Sequence, residues 1–147
     1  DDVRSKAKLA NRQVKIGVNA FIIARDTEEE AKAVLNEIIA QANVEAVNAF
    51  GDATREAGAA APEREGNWAK STFDDLVQYN DGFKTNLIGT PQQIAERIVA
   101  LKNVGVDLVL SGFLHFIEEV EYFGAKVLPL VRQLEQQQEQ RLAAKSA

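Results

Sequence analysis

Val14-Lys15-Ile16-Gly17-Val18-Asn19-Ala20-Phe21-Ile22-Ile23-Ala24-Arg25 is the stretch from which the fold is read. Its even positions, from Val14 to Ala24, are all apolar, and its odd positions run Lys, Gly, Asn, Phe, Ile, Arg. Successive side chains of a strand point to opposite faces, so this alternation describes a strand with one fully apolar face and one mixed face. A parallel strand covered by helices on both sides is apolar throughout. The small and polar residues on the second face, Gly17 and Asn19, instead suit the inside of a barrel or a cleft.

The residues on either side support a strand–helix alternation. Upstream, residues 1–13 read as the end of a helix, with Val3, Ala7 and Ala10 on one side. Downstream, Thr27-Glu28-Glu29-Glu30 has the spacing of a capping box. The apolar stripe Ala31, Leu35, Ile38, Ile39, Ala42 then predicts a helix that continues through Ala46, Ala49, Phe50 and Ala53. The pattern dissolves over residues 58–70. Residues 57–85 are therefore expected to form a lid or insertion, with a short helix capped by Ser71 carrying Phe73, Leu76 and Val77 inward. A strand is predicted over 86–89. Thr90-Pro91-Gln92-Gln93 opens the next helix with a cap, a first-turn proline and a box-closing glutamine. Gly105 ends that helix, and residues 106–110 read as a strand buried on both faces, ended by Ser111-Gly112. A last helix starts near His115 and meets Pro129, and residues 132–147 form a polar helical extension. Alternation of this kind means parallel strands joined by right-handed crossovers. Three strands leave two open edges, and three strand–helix units match the last three of a (β/α)8 TIM barrel of about 250 to 400 residues. A small open α/β sheet is the competing architecture.

The composition narrows the function. The 147 residues carry a net charge of -5, are 46% hydrophobic, and include no Cys, no Met, one His and one Trp. Without cysteine there is no disulfide scaffold, thiolate metal site or thiol nucleophile, and one histidine supplies no multi-histidine metal centre. The acidic balance argues against a nucleic-acid partner, whose phosphates need clustered cations. No apolar run approaches the roughly 18 residues of a membrane helix, and no signal-peptide pattern opens the chain, so a cytoplasmic location is expected. The first residue is Asp1 and no Met occurs anywhere, so the chain is expected to be a piece of a longer protein.

Leu87-Ile88-Gly89-Thr90-Pro91-Gln92-Gln93-Ile94-Ala95-Glu96-Arg97-Ile98, then Gly105-Val106-Asp107, then Leu110-Ser111-Gly112-Phe113-Leu114-His115, resembles the C-terminal end of the bacterial luciferase-like flavin monooxygenases. The likeness continues through Glu118-Glu119, Phe123-Gly124 and Val127-Leu128-Pro129-Leu130, and backwards over residues 19–30. It implies a (β/α)8 barrel whose N-terminal strands lie outside this chain. It also implies reduced FMN (FMNH2) as cofactor, an NAD(P)H-dependent FMN reductase as partner, and a homo-oligomer. The branch it resembles most cleaves a C–S bond of dimethyl sulfone to give methanesulfinate and formaldehyde. Alkanesulfonate oxidation is the alternative, as is a truncated flavin-binding relative without activity. A deazaflavin-dependent dehydrogenase and a helical interaction module are more distant competitors.

The resemblance also nominates site residues. His115 follows the last strand, at the end where barrel active sites form, and matches an active-site histidine of the sulfonate-oxidising relatives. Asn19 and Phe21 stand where those relatives carry Arg and His, and Asn80 falls where they carry a lid arginine. Neutral groups in place of cations suit an uncharged sulfone, because a buried Arg without an anion carries a heavy desolvation cost. His115 and Asn19 are accordingly the expected catalytic residues, and Phe21, Asn80 and Trp68 the expected substrate contacts. Ser111, Gly112 and Lys84 are the expected contacts to the flavin.

Overall fold

In a computed structural model, which describes residues 2–59, 70–78 and 82–146, the chain is a parallel α/β assembly. Its elements are helix α1 (Asp2–Leu9), strands β1 (Gly17–Phe21) and β2 (Ile23–Ala24), helices α2 (Glu28–Ala40), α3 (Val44–Ala59) and α4 (Phe73–Leu76), and a 3-10 turn at Gly82–Thr85. Strand β3 (Ile88–Gly89), helix α5 (Pro91–Asn103), strand β4 (Leu108–Gly112) and helix α6 (Phe116–Tyr122) follow. A π turn (Phe123–Val127) leads into helix α7 (Leu128–Ser146).

The decisive stretch forms the middle of the sheet. β1 pairs in parallel with β4, Gly17 opposite Leu108 and Phe21 opposite Gly112. β2 pairs in parallel with β3, Ile23 opposite Ile88. Backbone direction makes this consistent: the Ile22 N–H donates to Gly112 O at 2.9 Å on one side, and the Ile23 N–H to Leu87 O at 3.1 Å on the other. The class and the parallel pairing are those the sequence predicts. The order β3, β1–β2, β4 places the first strand between the other two, whereas consecutive strands of a barrel wall are neighbours in sequence order. The first strand owns two apolar faces at its carboxyl half, so the central place buries both.

Those two faces seed two cores. Ala20, Ile22 and Ala24 pack with Leu87, with Ile94 and Ala95 of α5, and with Val127 and Val131 of the π turn and α7. Ile23 packs on the other face with Ile88, Ala31 of α2 and Phe83. Ile22, Ile23 and Ile94 are fully or almost fully buried, worth roughly 1.5–3 kcal/mol each. Nearer the start of the sheet the second face lies open: Leu108 is 60% and Leu110 66% exposed. The expectation of a last strand buried on both faces is thus corrected. β4 is an edge strand, and one of its faces has no cover among the described residues.

The caps account for the helix boundaries. Thr27 and Glu30 close the predicted box at α2, and Thr90 and Gln93 close that at α5, with Pro91 at the start. α4 is capped by Thr72, not by Ser71: the Thr72 hydroxyl accepts the Asp75 N–H, and the Asp75 carboxylate accepts the Thr72 N–H. The long helix expected beyond residue 42 is two helices, since the Asn43 Oδ1 accepts the Ala46 N–H at 3.0 Å and starts α3 afresh. The helix expected to meet Pro129 passes through it. Proline lacks the N–H of an α turn and crowds the preceding carbonyls, and the wider π turn just before Pro129 gives that room. Residues 132–145 are helical and largely exposed.

Candidate functional site

Pairing β1 with β4 brings the carboxyl ends of the first and last strands together, the position where open and closed α/β sheets bind ligands. An open cleft of about 870 Å³ lies there. Ala24, Arg25 and Asp26 enter it from the end of β2, Glu30, Ala33 and Val34 from α2, and His115, Glu118, Glu119 and Tyr122 from the β4–α6 turn and α6. Its volume is within the range of small-molecule sites.

Two polar pairs organise the cleft. Arg25 donates from Nη1 to the Ala24 carbonyl at 2.8 Å and from Nη2 to Glu119 Oε1 at 2.6 Å. The second carboxylate oxygen of Glu119 accepts the N–H of Leu114 at 2.9 Å and of His115 at 3.3 Å. Tyr122 donates its hydroxyl to Asp26 Oδ1 at 2.6 Å. Burial first, and then the hydrogen bond and charge of Asp26, push its phenol up to about 12. His115 is the N-cap residue of α6, and its side chain makes no capping bond. The imidazole is exposed and makes no hydrogen bond to a described residue. Asp26, Glu30, Glu118 and Glu119 outnumber Arg25, so the cleft is acidic.

The nominated residues divide. His115 lines the cleft. Asn19 sits in mid-strand opposite Leu110, half-buried on the partly open face, and is not among the cleft's lining residues. Phe21 lies opposite Gly112 and meets Phe83 edge-on, with centroids 5.3 Å apart. A Cβ on Gly112 would stand 3.4 Å from the Phe21 ring, so the glycine gives that ring its space. Ser111 faces the opposite way, into a cavity of about 670 Å³ under α5 and α7 whose lining includes Ile98, Leu101, Val109 and Phe123 beside the charged Lys102 and Glu135. Lys84 Nζ donates to Ser71 Oγ at 2.8 Å and stands 3.6 Å from Asp75. Trp68 and Asn80 lie outside the described residues. His115 and Asn19 therefore do not share the cleft, and Ser111, Gly112 and Lys84 do not converge on one place. The described residues compose no cradle for a flavin phosphate, and the acidic cleft disfavours one.

Sequence reasoning missed Arg25, Asp26, Glu119 and Tyr122. Three of them carried a signal: Arg25 and Asp26 are the first residues past a strand's carboxyl end. Glu119 follows His115 by one helical turn.

Comparison with known proteins adds the family. The model for "Luciferase-like monooxygenase" matches residues 1–108. An FMNH(2)-dependent dimethylsulfone monooxygenase of Pseudomonas fluorescens (strain Pf0-1) is 80% identical over 135 residues, 92% of this chain and 37% of the relative. A protein of the same description from Pseudomonas putida is 77% identical over 93% of the chain and 38% of its own length. The chain thus spans less than two-fifths of the length of these curated relatives.

Proposed function

Because the chain belongs to the luciferase-like monooxygenase family, we propose that the whole protein is an FMNH2- and O2-dependent monooxygenase of dimethyl sulfone. One oxygen atom of O2 goes to the carbon that leaves as formaldehyde and the other to water, FMNH2 is oxidised to FMN, and methanesulfinate remains after C–S cleavage. On this reading the residues form the C-terminal portion of a barrel, with 57–85 as its lid and 132–147 as a polar extension. The N-terminal portion completes the barrel and holds the flavin phosphate, for which the described residues of this chain form no cradle. An NAD(P)H-dependent reductase supplies the reduced flavin, and the protein is a cytoplasmic homo-oligomer. Among the described residues no helix is long and apolar enough to cross a membrane.

The observation that carries the choice of substrate is the charge of the cleft. Its one arginine is held by Glu119, and three further carboxylates line the walls. Such a cleft repels an alkanesulfonate anion but admits a neutral, strongly dipolar sulfone. The imidazole of His115, unengaged by any described residue, donates a hydrogen bond to a sulfone oxygen. Asn19 and Phe21, on the partly open face of β1, are proposed to meet the substrate where the N-terminal portion covers that face.

The test uses the complete protein with an FMN reductase and NADH. Dimethyl sulfone should yield methanesulfinate and formaldehyde in equal amounts, and methanesulfonate should not be turned over. His115→Ala should lower kcat about 10²-fold or more with KM little changed, since donors aimed at developing charge act in the transition state. Turnover of the sulfonate in preference to the sulfone would overthrow this reading.

A further inference from the structure

We infer that Arg25 and Glu119 are the positioning residues of His115: their ion pair ties the ends of the first and last strands together and fixes where the imidazole stands in the cleft. The inference rests on the reading above in taking His115 as the working group. The turn that carries His115 is residues 113–115, between β4 and α6. Its beginning is anchored, since the Phe113 ring meets Phe123 at 5.7 Å and Phe116 at 6.5 Å. Its end has no such anchor. Leu114 and His115 are exposed, and His115 occupies the N-cap position without capping by its own side chain.

Glu119 supplies what the cap does not. From one turn into α6 it reaches back, and one carboxylate oxygen takes the two N–H groups of Leu114 and His115. The helix returns the contact through the Glu119 N–H, which donates to His115 O at 3.0 Å. The other carboxylate oxygen is held by Arg25, which is itself fixed to the sheet: its N–H donates to Gly89 O at 3.1 Å and its Nη1 to Ala24 O. Asp26, the adjacent carboxylate, is occupied by Tyr122, which leaves Glu119 as the acceptor of Nη2. The Arg25 and Glu119 side chains are only 26% and 11% exposed, so the pair is partly desolvated and better defined than a surface ion pair. An unbroken run of contacts thus leads from the central strand to the backbone that carries the imidazole. A displacement of about 1 Å of such a group costs on the order of 10²-fold in rate.

The experiment uses the complete protein and the variants Arg25→Gln, Glu119→Gln and the two combined, with Glu121→Gln on the exposed side of α6 as a control. Each single variant should lower kcat for the sulfone about ten- to a hundredfold, with KM for FMNH2 unchanged. The combined variant should lose no more than the worse single one, because the two act as a unit. Hydrogen exchange should show the Leu114 and His115 amides, which Glu119 holds, losing protection in all three variants but not in the control. If Glu119→Gln fails to fold, Glu119→Asp, which keeps the charge but withdraws the carboxylate by one methylene, should fold and show the same loss. Wild-type kcat in a folded Glu119 variant, losses that multiply in the combined variant, or an effect confined to KM would each overturn the inference. A wild-type protein that oxidises no sulfone removes the functional reading alone, and the amide protection still decides the clamp.

Discussion

Tyr122 shows how a single side chain in the cleft reports on its surroundings. Its phenol is raised to about 12 by burial and then by Asp26, above the ordinary tyrosine value of about 10. Because the folded value is the higher one, the stability linked to the neutral phenol is complete below about pH 10 and is lost as pH climbs through 12. Alkaline ultraviolet titration should show one tyrosine ionising near pH 12, and Tyr122→Phe should remove that step. Asp26→Asn keeps an acceptor but removes the charge, so its midpoint should fall part of the way toward 10; an unchanged midpoint would mean Asp26 has no share in the shift. His115 was legible in the sequence because it is the one histidine and stands directly after a strand ending in Ser-Gly. The partners were not. Arg25 and Glu119 are 94 residues apart, and Asp26 and Tyr122 are 96 apart, so nothing local announces either contact.

Among the elements, α5 has the clearest local origin. The Thr90 hydroxyl accepts the Gln93 N–H at 3.3 Å, and the Gln93 carboxamide accepts the Thr90 N–H at 3.0 Å and donates to Glu28 at 2.8 Å, tying α5 to α2. Thr90→Ala should cost about 1 kcal/mol in urea unfolding, the usual worth of a cap. Gly89→Ala should cost more, because Gly89 has φ of 146° and an added Cβ would meet the same Gln93 carboxamide oxygen. A neutral Gly89→Ala variant would contradict that ordering. Both boxes at α2 and α5 were readable from Thr-x-x-Glu and Thr-x-x-Gln spacing. The break at residues 41–43 was not, because an apolar stripe at helical period carries on across it and only the Asn43 side chain marks the new start. The π turn before Pro129 was equally hidden, since the proline signals an end whereas the chain widens the helix instead.

At the scale of the molecule, the sequence announced parallel α/β organisation but not the strand order. Alternation of strands and helices fixes pairing sense and crossover hand, whereas order depends on which edges find a partner, and the twin apolar faces at Phe21–Ala24 decide it here. Val18 and Val109 are opposite one another in the β1–β4 register, within the spacing a disulfide spans. Val18→Cys with Val109→Cys should therefore oxidise to an internal cross-link in the folded chain and not in denaturant. Absence of the cross-link would speak for the consecutive order, with the strand around Ile88 standing between them. The open stripe on β4 has a practical consequence of its own. Leu108 and Leu110, on a strand with one edge unpaired among the described residues, should make a solution of this chain adhesive. It should brighten a hydrophobic fluorescent dye and scatter more light as it is concentrated, and Leu110→Lys, which alters neither core, should quench both.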